Sequence, residues 1–108
     1  MTEVLMRFER DEEKNRINRE KHGLSFKLAT KVFEDKLRIE RYDTSPGNTA
    51  GENRTQTIGS IGNVIFVVFT QRGENTRIIS ARKASLKERR LYYGYEIIQS
   101  EGWERADS

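Results

Sequence analysis

Between Arg77 and Arg90 the chain places six Lys/Arg and one Glu in fourteen residues, about +5 locally against +3 for all 108 residues. Tyr92 and Tyr93 close the run. Guanidinium is permanently charged, and its planar fork of donors grips two phosphate oxygens at once. Arginines fixed on a strand with phenols nearby therefore suit a polyphosphate such as RNA. Cleaving an RNA backbone without a metal sets three tasks. The 2′-hydroxyl must lose a proton, the phosphorane must be stabilised, and the 5′-oxygen must gain a proton. Arg77, Arg82 and Arg54 are the candidates for the second task, because each lies on or beside an expected strand. The competing reading of all three is a solvated charged face, or ion pairs to acids such as Glu40 and Glu52.

One geometric difficulty follows from the spacing. Arg77 and Arg82 are five residues apart, so a regular strand projects them from opposite faces. They share a site only if the strand ends or bulges near Ala81, or if Arg82 already belongs to the turn. For the proton transfers, His22 is the only histidine and titrates in the right range. Its place at an expected helix C-terminus is explained equally by the helix dipole and free carbonyls. Glu52 is an alternative base, although an acid in a polar loop is usually just solvated. Lys14 and Lys21, two helical turns apart, share one face and could flank an RNA backbone, as could Lys83 and Arg89 in the basic run. Tyr92 and Tyr93 diverge by about 100° on a helix. One of them could stack on a base or donate a proton (Tyr93 is the catalytic candidate, Tyr92 the RNA contact), while the other packs on the sheet.

The elements that must position these groups are legible in outline. Val4, Met6 and Phe8 alternate with Leu5, Arg7 and Glu9, giving a first strand. Asp11 caps a helix that ends at Lys21-His22-Gly23, and its only large aliphatic residue is Ile17, so it lies on the surface. Ser25 caps a second helix with Phe26, Ala29, Val32 and Phe33 on its core face. A second strand covers residues 37–42. Residues 43–53 hold the only proline and form a loop. Residues 54–61 give a third strand, with Gly62-Asn63 as a two-residue hairpin turn. Val64 to Phe69 is continuously apolar, which marks a central strand buried on both faces. Thr76 to Arg82 gives a fifth strand, and Ser85 with Glu88 forms a capping box opening the last helix. The expectation is an α+β domain, β-α-α-β-β-β-β-α, with a mainly antiparallel sheet of about five strands and helices on one face. Residues 1–94 form the domain, and 95–108 a helix extension or tail.

Composition narrows the class. At 108 residues the chain is one domain; 34% of residues are apolar and 34% charged, which implies a thin core under a charged surface. A pI of about 9.3 favours an acidic partner. With no cysteine there is no disulfide framework and no thiolate zinc site. No apolar run reaches membrane-spanning length and no signal-like segment opens the chain, so a cytoplasmic protein is expected. No Gly-rich phosphate loop, Ser/His/Asp arrangement or metal-ligand cluster is readable, so neither a metal nor a cofactor is expected.

Several phrases, taken in order, carry a resemblance. Phe8-Glu9-x-Asp11-x-x-Lys14 followed by Asn18-x-x-Lys21-His22-Gly23-x-Ser25-Phe26 is similar to the opening of the BrnT toxin family. Glu52-x-Arg54-x-x-x-Ile58-Gly59, Val67-Val68-Phe69-Thr70, Arg77-Ile78-Ile79-Ser80-Ala81-Arg82 and Glu88-Arg89-Arg90-x-Tyr92-Tyr93 also resemble it. Position 10 departs from the pattern, with Arg10 where the family usually has an aromatic. The resemblance implies a RelE-like fold and a ribonuclease toxin of a type II toxin–antitoxin pair that inhibits translation. It also implies a BrnA-like ribbon-helix-helix antitoxin as partner, with operator DNA bound only through that antitoxin. The alternative is a non-catalytic protein- or nucleic-acid-binding module, an attenuated toxin homologue.

Overall fold

The computed structural model describes residues 6–43, 53–94 and 98–106. Its elements run β1 (Arg7–Phe8), α1 (Glu12–His22), α2 (Phe26–Ala29), a 3-10 helix (Thr30–Glu34), β2 (Ile39–Tyr42), β3 (Arg54–Ser60), β4 (Val64–Arg72), β5 (Asn75–Lys83), α3 (Leu86–Tyr92), a second 3-10 turn (Ile98–Glu101) and β6 (Glu104–Arg105). The six strands make one sheet in the order β1-β5-β4-β3-β2-β6. Two features depart from expectation. The sheet is mixed, because β1 runs parallel to β5, and it has six strands instead of about five. The helices also divide between the two faces. On β4, Ile65 and Val67 join Leu24, Ala29, Val32, Ile78 and Ala81 in one core cluster under α2. Val64 and Phe66, pointing the other way, join Ile39, Ile58, Leu91, Tyr92 and Trp103 in a second cluster under α3. This is why Val64 to Phe69 is apolar without interruption: a stretch covered on both sides has no solvent-facing positions.

The expected second helix loosens after one turn. Ser25 caps α2 through Leu28 N–H (3.1 Å), but the chain tightens into the 3-10 helix from Thr30, whose hydroxyl donates to Lys27 O (2.6 Å). Ala29 and Val32 still face the core, fully buried. Their close approach to the sheet requires Gly59, where a Cβ would stand 2.6 Å from Val32 Cγ2. The β3–β4 connection takes three residues, Ile61 to Asn63, because Ser60 pairs with Val64.

α1 forms for local reasons. Asp11 Oδ1 accepts Lys14 N–H (3.0 Å), Glu12 and Glu13 occupy the first turn, and Gly23 at φ 69° lets its N–H close on Arg19 O. What docks it is Asn18, a buried polar side chain. Its Nδ2 donates to Ala81 O and to Leu24 O, both at 2.8 Å, while its Oδ1 accepts Ala81 N–H at 3.1 Å. The side-chain amide thus pairs with the outer edge of β5 as a neighbouring strand would, covering polar groups that would otherwise stand open. Ile17 is left 48% exposed, so apolar burial does not hold this helix.

Asp35 ties the two faces together at the sheet rim. Its Oδ2 accepts the Tyr92 hydroxyl (2.6 Å) and Ser60 N–H (2.8 Å), and its Oδ1 accepts Leu37 N–H (2.9 Å). Burial pushes the carboxyl up, but these bonds and the Arg38 charge outweigh it and hold Asp35 below the usual carboxylate range.

Replacing Asn18 with Ala should lower stability by about 2–3 kcal/mol, because the Ala81 groups lose their partner. Urea unfolding measures it, and an unchanged midpoint would contradict the edge-pairing role. For Asp35→Asn the loss depends on pH. A depressed folded pKa contributes stability above the unfolded value of about 4, and that stability disappears as pH falls through the folded value. Urea titrations of the two proteins should therefore differ at pH 7 and converge in acid; a constant gap would refute the charge-based account.

Candidate nucleic-acid interface

The register of three central strands brings the candidate arginines onto one face. Arg54 of β3 pairs with Thr70 of β4, and Thr70 pairs with Arg77 of β5. Directly paired residues project from the same side, so Arg54 and Arg77 flank Thr70 on the α3 face, their backbones about 10 Å apart. Thr70 is buried between them, and its hydroxyl donates to Asn53 O (2.8 Å).

Arg82 reaches the same face through a bulge. β5 pairs Ile78 with Phe69 but Ser80 with Val68, leaving Ile79 without an opposite residue. One extra residue reverses the parity beyond it. Arg77, Ser80 and Arg82 therefore all project toward the α3 side, while Ile78 and Ala81 enter the other core. The burial pattern of β5 records the same skip, with Thr76, Ile78 and Ala81 buried at steps of two and then three.

Arg82 and Arg77 differ in how much charge they can offer. Arg82 is bound by Glu88 with both nitrogens, at 2.8 and 2.9 Å, and its guanidinium carbon lies 4.2 Å from the Phe66 ring centre. Glu88 also closes the capping box on Ser85 N–H (2.7 Å). Burial alone would raise the Glu88 carboxyl, but the Arg82 bonds and the Ser85 N–H hold it below the usual range. Arg82 is thereby a bracket fastening α3 to β5. Arg77 is freer: its nearest carboxylate, Asp11 Oδ2, stands 3.8 Å from Nη2, too long for a hydrogen bond.

The remaining candidates are distributed unevenly. Tyr92, expected at the RNA, is buried with its hydroxyl on Asp35, and that bond and burial raise its pKa. Tyr93 is 62% exposed at the end of α3, its ring 5.1 Å from that of Tyr92. Arg89 is exposed on α3; Lys83 is exposed too, but its pairing with Ile65 turns it to the α2 side. On α1, a rotation of about 100° per residue puts Lys14 and Lys21 on one flank of Asn18, and Asn15 and His22 on the other. Asn15 Oδ1 accepts Phe26 N–H (2.8 Å), so the His22 flank faces α2, away from the arginine row. Glu52 lies outside the described residues. Among the described residues no group of three or more His, Cys, Asp or Glu could hold a metal ion. A cleft of about 450 Å³, lined by Phe8, Asp11, Asn15, Phe26 and Ile78, opens on the α2 side and not over the arginines.

Arg41 was missed by reasoning from the sequence, where it is one charge in an alternating strand. Its register partner Gln56 pairs with Val68, which pairs with Ser80, so Arg41 belongs to the next row on the same face.

The structure is thus a small mixed-sheet α+β domain that presents several arginines on one sheet face. The family described as "Ribonuclease toxin, BrnT, of type II toxin-antitoxin system" matches residues 11–88, and the chain belongs to that family. A solved relative, the ribonuclease toxin BrnT of Brucella abortus, is similar at 32% identity and a TM-score of 0.54, covering 75% of this chain and 99% of that one. No curated protein matches.

The contrast between the arginines is measurable. Arg82→Ala should destabilise the protein by about 1–2 kcal/mol, since it strands a half-buried Glu88. Arg77→Ala, losing one long ion pair, should change the urea midpoint little. Equal losses for the two would remove the distinction.

Proposed function

We propose that the chain is a metal-independent endoribonuclease toxin that inhibits translation, acting through the row Arg54–Thr70–Arg77. That row carries the reading: two permanent cations on one sheet face, set on the strands either side of β4, with Arg77 outside the tight carboxylate fork that neutralises Arg82. Arg77 and Arg54 grip the non-bridging oxygens of the scissile phosphate and gain most as charge develops on the phosphorane. The 2′-oxygen attacks phosphorus and the bond to the 5′-oxygen breaks, so one proton leaves and one is delivered. We assign these transfers to Glu52 in preference to His22, because Glu52 lies two residues from Arg54 along the chain whereas His22 faces α2. Tyr93 at the exposed end of α3 positions a base, and Lys14, Lys21 and Arg89 track the strand on either side. Arg82 supports the site by holding α3.

Membership of a type II toxin family supports an antitoxin partner, for which we propose a ribbon-helix-helix protein that contacts operator DNA on the toxin's behalf. A cytoplasmic site of action fits a chain in which, among the described residues, no helix is long and apolar enough to cross a membrane. Purified protein should cleave single-stranded RNA in the presence of EDTA, and Arg77→Ala and Arg54→Ala should each slow cleavage by roughly 10²–10³-fold. Salt-sensitive RNA binding without turnover, unaffected by either change, would instead support a non-catalytic binding module.

A further inference from the structure

Arg41 is held in place entirely by neutral groups. Its Nε donates to Gln56 Oε1 (2.9 Å), its Nη1 donates to Glu101 O (2.8 Å), and its guanidinium carbon lies 4.4 Å from the Trp103 ring centre. Elsewhere carboxylates stand beside the arginines: Glu88 at Arg82, Glu40 at Arg38 (3.4 Å), Glu9 at Arg72 (3.6 Å), and Glu13 and Glu20 at Arg16. The acid nearest to Arg41 by bonding is Asp43, one step removed, whose Oδ1 accepts from Gln56 Nε2 (3.0 Å). The Glu101 carboxylate itself is taken by Lys87 at 2.7 Å. Fixing a guanidinium with an amide, a carbonyl and an indole face orients it without neutralising it.

Two of these three groups, Glu101 O and the Trp103 ring, lie beyond the family match, which ends at residue 88. Trp103 is 1% exposed among Ile39, Ile58, Leu91 and Tyr92, with its Nε1–H buried and unpaired, so apolar packing and the Arg41 cation anchor it. β6 pairs with β2 beside it, and Ala106 N–H closes on Arg38 O (3.1 Å). Along this edge runs a groove of about 390 Å³ lined by Arg41, Tyr42, Thr55, Gly102 and Arg105, with Glu40 and Glu104 on its wall. Tyr42, 77% exposed, pairs with Thr55 opposite Phe69 and so leaves the sheet on the α2 side, away from Arg41.

We propose that Arg41 forms a phosphate subsite next to the arginine row, holding a phosphate that adjoins the scissile one, with residues 98–106 as the element that sets Arg41. The subsite rests on the ribonuclease reading and deepens it. A fixed cation continuing a basic face is the chemistry that tracks the backbone of a single-stranded nucleic acid. The register supplies the continuity, since Arg41 lies one row from Arg54 on the same face.

The test uses the full chain and a single-stranded 2′-O-methyl RNA, which binds but lacks the attacking hydroxyl, with affinity measured across a salt series. Arg41→Gln should weaken binding roughly tenfold and make the salt slope shallower by about 0.7, one phosphate contact on a single strand. Tyr42→Ala, a change on the opposite face, should leave affinity and slope at the wild-type values. Arg41→Lys, which keeps the charge and the stem over Trp103, should keep the slope, and it answers the question if Arg41→Gln does not fold. On cleavable RNA, Arg41→Gln should raise KM and leave kcat in place. Wild-type slope and affinity in Arg41→Gln, or a lost slope in folded Arg41→Lys, would overturn the subsite while leaving the ribonuclease reading intact. A wild-type protein with no salt-dependent RNA affinity would overturn both.

Discussion

The extra residue in β5 is the constraint on which the site depends. A strand keeps strict alternation, so without the skip at Ile79 an arginine at position 77 and one at position 82 would leave the sheet on opposite sides. One of them would then enter the core beneath α2, where a guanidinium costs several kcal/mol to bury unpaired. The bulge allows Ile78 and Ala81 to fill that core while both arginines and Ser80 stay on the α3 side. A local irregularity in one ladder therefore decides which residues can act together.

Around that strand, polar contacts do work that small apolar surfaces cannot. α1 has no apolar stripe, yet it lies firmly along the sheet because the Asn18 amide completes the edge of β5. On the inner side, Glu88 caps α3 and binds Arg82 with the same carboxylate. At the rim, Asp35 joins β3, α3 and the segment that leads into β2. A chain with 34% charged residues has a thin core, and fully satisfied polar anchors are how its helices acquire fixed positions.

The same economy separates two uses of arginine. Where the side chain fastens elements, a carboxylate is present and the charge is spent, as at Arg82. Where the side chain is orientated by neutral groups or a distant acid, as at Arg41 and Arg77, the charge stays available to a ligand. Counting basic residues in the run from Arg77 to Arg90 does not separate these cases; counter-ion geometry does.

Most local signals were legible along the chain, although the β3–β4 turn is one residue longer than its Gly62-Asn63 signal suggested. The Asp11 cap, the Gly23 stop, the Ser85–Glu88 capping box and the buried central strand are written in residue types at fixed spacings, because short-range bonding and covering of both strand faces leave direct marks on composition. The second helix was read too long, since 3-10 tightening after Thr30 preserves the apolar spacing of an α-helix over a few residues. Three matters belonged to tertiary structure alone: the parallel β1–β5 pair, the division of helices between two faces, and the identity of the free arginines. Each depends on partners far apart in sequence, Phe8 with Thr76, Leu91 with Trp103, Arg41 with Gln56 and Glu101, and no periodicity within a single segment encodes which distant segment will meet it.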